Sequence, residues 1–152
     1  MKHTSLLSVV LLAGLAGCGV RSEEVKPASV TQVKQFTDQN LEDLRVAIDK
    51  NDHAPQAAIT LSYHIGSLRA RWINDSPKQA IDPELDARIQ QVAAELYRNS
   101  RGILAGMAAR KGPPTLSAEQ LDMYRQLLGK AQNVIDEMDR QMKADGTVKE
   151  GG

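Results

Sequence analysis

The side chains best suited to chemistry in this sequence are one histidine and a set of methionines. His64 sits in an apolar stretch, and Met107, Met123, Met138 and Met142 lie further along. An imidazole on one helix facing a thioether on another could hold haem or copper inside a helical bundle, and such a bundle could equally enclose a lipid-like molecule. A histidine at the polar edge of a helix and gap-filling methionines account for the same letters. His53 falls in a loop-like run, and Glu-x-x-His occurs nowhere, so a carboxylate-bridged di-iron centre has no support. Cys18 is the single cysteine, which excludes an intramolecular disulfide, a multi-cysteine zinc or iron–sulfur site and a Cys-x-x-Cys-His haem attachment. There is no Gly-x-Ser-x-Gly, no phosphate-cradling loop ending in Gly-Lys-Ser/Thr and no His-Glu-x-x-His. The expectation is a protein that is not an enzyme and that carries no cofactor.

Charge and aromatics narrow the partners. The 19 Lys and Arg balance the 19 Asp and Glu, and the five aromatics (Phe36, Tyr63, Trp72, Tyr97, Tyr124) are too few for stacking along a strand of bases, so nucleic acid is not expected. One stretch is uneven: Arg98, Arg101, Arg110 and Lys111 lie between Glu95 and Glu119 with no acid among them. These cations are candidate partner contacts for an acidic or phosphate-bearing polymer, and a solvated face near a helix C-terminus explains them as well. Trp72, the only tryptophan, is a candidate partner anchor whose phase on an apolar stripe also suits a core cap.

Residues 1–17 have the layout of an export signal. Lys2 is the only charge before Arg21, and Leu6 to Gly17 is an uncharged, mostly apolar run. Twelve helical residues rise about 18 Å, too short for a bilayer core of roughly 30 Å. The run closes on Leu15-Ala16-Gly17-Cys18, and here the sequence resembles the bacterial lipoproteins, whose lipobox is a leucine, two small residues and a cysteine. The resemblance implies cleavage between Gly17 and Cys18, a diacylglycerol on the thiol and an acyl chain on the new amino group. Three acyl chains exceed what stable attachment to a bilayer requires. Gly19 stands where an aspartate would favour the inner membrane, so the resemblance points to the outer membrane with the chain facing the periplasm. With Lys2 removed, 18 basic residues face 19 acidic ones.

The elements that position these residues read as helices. Residues 18–29 form a polar tether, of which Gly19 to Ser29 can extend roughly 35–40 Å. Val30, Val33, Phe36, Leu41, Leu44 and Ile48 make a loose first stripe, and Asn51 to Pro55 a tight connection. Ala58, Leu61, Ile65, Leu68 and Trp72 repeat by three and four until Asn74-Asp75-Ser76-Pro77. Asp82-Pro83-Glu84 opens a third helix with stripe Leu85, Ile89, Val92, Leu96, Ile103 and Met107, predicted to run to Gly112. Asn99 and Ser100 interrupt that stripe, as a solvated gap or as a polar layer that fixes register, and Gly102-Ile-Leu-Ala-Gly106 suggests close helix crossing. Ser117 and Gln120 form a capping box, Leu116 and Leu121 a hydrophobic staple, and Leu121, Tyr124, Leu128, Ala131, Ile135, Met138 and Met142 the last stripe. Leu127 and Val134 widen it to a face that meets two neighbours, which favours a bundle over a two-stranded coiled coil. The fold expected is all-α: an antiparallel four-helix bundle over residues 30–145, after a cleaved signal peptide and a flexible tether, with a disordered tail over 146–152. The function expected is interaction with an envelope protein, as an assembly or accessory factor anchored to the lipid bilayer through Cys18.

Overall fold

The computed structural model describes residues 27–78, 80–109 and 115–148. Among them are four helices and no strand: α1 (Val30–Asp49), α2 (Ala54–Asp75), α3 (Pro83–Ala108) and α4 (Ala118–Ala144). Their starts follow from capping chemistry. Ser29 and Gln32 close a reciprocal capping box on α1, with the Ser29 amide donating to Gln32 Oε1 at 2.9 Å. Ser117 and Gln120 do the same on α4. On α3, Asp82 Oδ1 accepts the amides of Glu84 and Leu85, both at 3.0 Å, ahead of Pro83 at the first helical position. No side chain caps α2, and its entry depends on the connecting loop, where Asn51 and His53 take left-handed φ values of 50° and 56°.

Contacts between elements give the topology. Thr37 of α1 meets the His64 carbonyl of α2, Arg69 of α2 pairs with Asp86 of α3, and Tyr63 lies against Tyr97. Glu95 and Ser100 of α3 reach Lys130 and Tyr124 of α4, and Lys34 of α1 reaches Asp139. Sequence numbers rise on one helix as they fall on its neighbour, so the four helices run up, down, up and down. α2 packs closely along both α1 and α3, while α4 closes the bundle from further off.

The core is aliphatic. Leu44, Leu61, Ile65, Leu68, Leu85, Ile89, Leu96 and Ile135 are fully buried with Trp72, Tyr124, Met138 and Met142. The α2 stripe lies entirely inside, and on α4 Leu127 and Val134 are buried while Leu121 and Leu128 sit at the rim. The capping leucine Leu116 is buried and Leu121 packs against the same core, as the staple requires.

Four expectations change. On α1 the interior position is Thr37, whose hydroxyl donates to the Val33 carbonyl at 2.8 Å, and Phe36 is 55% exposed. A buried hydroxyl that bonds the preceding turn satisfies itself, so a threonine can take a core slot that hydropathy assigns to phenylalanine. α3 ends at Ala108 rather than at Gly112. Gly102 and Gly106 are exposed, and a Cβ at either would touch nothing within 4 Å, so no close crossing occurs there. The chain after α4 is not free as far as Val148: Gly146, at φ 80°, donates to the Lys143 carbonyl, and the Val148 amide reaches Met142 at 3.0 Å. The last of these residues packs its side chain against the core.

Candidate functional site

Cys18, Gly17, Arg110 and Lys111 lie outside the described residues. The structure therefore places three of the candidate residues: Trp72, Arg98 and Arg101. Trp72 is 1% exposed and is a core residue, not a surface anchor. Its indole Nε1 donates to Asp145 Oδ2 at 2.8 Å, and Ser76 Oγ donates to the same oxygen at 2.9 Å. Asp145 Oδ1 accepts the Thr147 amide at 2.9 Å. Partial burial opposes ionisation of this carboxyl, but the hydrogen bonds from Thr147, Trp72 and Ser76 outweigh it and hold the group below the usual carboxylate range. The carboxylate thus fastens the end of α4 to the end of α2.

At the opposite pole the fastening residue is Asn51. Its side-chain amide donates to the Leu116 carbonyl at 3.1 Å, and its carbonyl oxygen accepts the Leu116 amide at 2.9 Å. This pairing copies a strand-like backbone exchange, and it ties the α1–α2 loop to the start of α4. Asparagine suits both demands, since it tolerates the left-handed φ and carries a donor and an acceptor on one amide.

Arg98 and Arg101 are exposed on α3, and of the interrupted pair Asn99 faces solvent while Ser100 is fully buried. Ser100 Oγ and the Tyr124 hydroxyl lie 2.9 Å apart, a buried polar pair between α3 and α4. Burial pushes the Tyr124 phenol above its ordinary pKa, with the Ser100 bond opposing. Arg101 sits over the Tyr97 ring at 5.7 Å from its centroid and donates from Nη1 to the Tyr97 hydroxyl at 3.4 Å. Tyr97 in turn meets Tyr63 at 5.9 Å with the ring planes inclined by 70°.

The same pattern appears on the other side of α2, where the rings of Phe36 and His64 lie 6.4 Å apart, tilted by 47°. Aromatic side chains therefore line both seams that α2 makes with its neighbours, and Tyr63 is 61% exposed. Between the seams the outward arc of α2 carries Gln56, Thr60, Tyr63, Gly66 and Ser67, all exposed, and no Asp, Glu, Lys or Arg occurs from His53 to Leu68. Hydropathy picks out the buried stripe of this helix and is silent about its outside. The available signal was a charge-free run on a helix that must have a solvent face.

His64 is half-buried beside Phe36, Met107 and Met123 are half-buried, and Met138 and Met142 are inside the core. Among the described residues no group of three or more His, Cys, Asp or Glu is placed to hold a metal ion. Depressions open beside α4. The one between α3 and α4, about 240 Å³, is lined by Arg88, Gln91, Val92, Lys130, Asn133 and Val134. The neighbouring Glu95 bonds Lys130 and Gln91, both at 2.8 Å, and the Lys130 ammonium is the main cause of its lowered pKa. No helix among the described residues is long and apolar enough to cross a membrane. Compared with families of known proteins, with curated proteins and with solved structures, the chain shows no match.

Proposed function

We propose that this chain is a lipid-anchored interaction protein of the bacterial cell envelope, held in the outer membrane through Cys18 and facing the periplasm, where its bundle binds another envelope protein through the outer face of α2. The observation that carries the binding half of this reading is that face: uncharged from His53 to Leu68 and bordered by Phe36, His64, Tyr63 and Tyr97. Protein interfaces are depleted of charge at their centres and enriched in aromatic rings and arginine, which is the composition found here with Arg101 at the margin. The anchoring half is supported by Leu15-Ala16-Gly17-Cys18 and the apolar run before it.

Both halves have direct tests. A photo-crosslinking residue placed at Tyr63 in native envelopes should give one or a few discrete adducts, while the same residue at Gln126 on α4 should give none above background. Equal labelling from both positions would sink the assignment of the face. Cys18→Ser should move the protein out of the membrane fraction, and its retention there after a carbonate wash would refute the anchor.

A further inference from the structure

The cleft between α3 and α4 has two unlike ends. Val92 and Val134, both buried, form its floor. Lys130 stands at one end, level with its partner Glu95, and Arg88 stands about 10 Å further along α3, at the helical rise of 1.5 Å. The Lys130 end is neutralised: Glu95 accepts from Lys130 and from Gln91, both at 2.8 Å. The Arg88 end is not, because its guanidinium makes no ion pair or hydrogen bond to the described residues. In the antiparallel register the acid level with Arg88 on α4 is Glu137, which is taken up by Arg140 at 2.6 Å and Gln141 at 3.1 Å and does not line the cleft. The Asn133 side chain, also lining the cleft, has no hydrogen bond to the described residues either. An unneutralised cation and a free amide thus share one aliphatic floor.

This lining selects among small molecules. An amine would meet Arg88 with like charge, and a sugar would find two valines where it needs an aromatic ring to stack on. A phosphate monoester brings close to two negative charges, whereas Arg88, Lys130 and Glu95 together leave a single positive one. A carboxylate brings one charge, and its two oxygens match the fork of a guanidinium. Size follows from the cleft's volume of about 240 Å³. At ~30 Å³ for each water of the liquid, that is room for about eight non-hydrogen atoms, well short of a drug-sized ligand. We propose that the cleft binds a short, branched aliphatic monocarboxylate, with its carboxylate on Arg88, the Asn133 amide as second donor and its methyl groups over Val92 and Val134. The cleft lies away from the outer face of α2, so this site stands whether or not that face is an interface.

The test uses the full chain carrying ¹³C in its valine methyl groups, with 4-methylpentanoate as the probe. Titration should shift the Val92 and Val134 signals and leave those of Val30, buried at the start of α1, unmoved. The amide of the same acid keeps the shape and loses the charge, and it should bind about tenfold more weakly. Arg88→Gln should weaken binding of the acid by a similar factor of about ten, while Arg125→Gln, at an exposed cation elsewhere on α4, should leave it unchanged. Both arginines are exposed, and unchanged Val30 signals report that the variants keep the fold. The proposal is overturned by the absence of a shift at about 20 mM acid, by equal binding of acid and amide, or by an Arg88→Gln variant that binds as wild type does. Tighter binding of 3-methylbutyl phosphate would overturn it in favour of phosphate esters.

Discussion

α2 and α4 stand diagonally across the bundle, and their outer faces have opposite characters. On α4 the exterior is laced with local pairs: Lys143 with Asp139 at 2.7 Å, Arg140 with Glu137 at 2.6 Å, Gln126 with Asp122 at 3.0 Å and Gln132 with Asp136 at 2.9 Å. Such pairs, three and four residues apart, are what a solvated helix uses to hold its own turns. α2 has none of them before Arg71 with Asp75, although it is the helix most closely packed by its neighbours. The lesson lies in the exteriors. Both helices bury a core stripe, but α4 adds local side-chain pairs on its outside, each worth a few tenths of a kcal/mol, whereas the outside of α2 before Arg71 has none. A helix exterior without charge pairs, carrying an exposed tyrosine, is where an interaction is to be sought.

The largest effect should come from the inside of α2. Leu68→Ala removes a fully buried side chain where α1 and α3 pack on α2, and about 2–5 kcal/mol should be lost in denaturant melts. Leu128→Ala at the α4 rim should cost clearly less, and equal losses would break the contrast between the two helices.

Next is the clasp between the α1–α2 loop and α4. Asn51→Ala deletes both bonds to Leu116 and places a Cβ-bearing residue without a polar side chain at positive φ, so about 1–3 kcal/mol should be lost. Asn51→Gly relieves the backbone and loses the bonds, and it should fall between alanine and wild type. A glycine variant as stable as wild type would show that φ, not the clasp, is what the position supplies.

The third effect depends on pH. Asp145 has a folded pKa below its unfolded one, so its contribution is fully present above the ordinary aspartate value near about 3.9 and is lost as the pH falls through the folded value. Acid unfolding of wild type should therefore be steeper in that window than unfolding of Asp145→Asn, and superimposable acid limbs would remove Asp145 from the account.

The smallest effect is the sharpest for the comparison. Gly66 is exposed on α2 with open space around its Cβ position, so Gly66→Ala should raise stability by up to about 1 kcal/mol. If Gly66 is kept for close approach of a partner, the same variant should reduce crosslinking from Tyr63. Higher stability with undiminished crosslinking would leave the glycine without an interfacial role.

These positions also show what could be read in advance. The caps at Asp82 and Ser117 and the stripes of α2 and α4 were legible because they depend on neighbours within one or two turns. The α1 phase was misread because Phe36 and Thr37 compete for one slot, and hydropathy favours the residue that points outward. Asn51 read only as a turn residue, since its partner Leu116 lies in another hairpin. Asp145 read as the end of a helix, and nothing local connects it to Trp72. The tyrosine seam was hidden for the same reason, because only the antiparallel register of α2 and α3 brings Tyr63 to Tyr97.

That register also sets a local concentration. Tyr97 lies about 21 Å along α3 from Pro83, at the 1.5 Å rise of a helix. α3 begins at the pole where α1 begins and α4 ends. If Cys18 anchors the chain as proposed and residues 19–29 can extend to roughly 40 Å, the tyrosine seam would sweep a hemisphere about 60 Å in radius over the membrane. One molecule so confined would be present at a few millimolar towards any segment rising from the same leaflet. On that proposal a contact of only sub-millimolar affinity in solution would be mostly occupied at the membrane, so a small, weak interface would suffice.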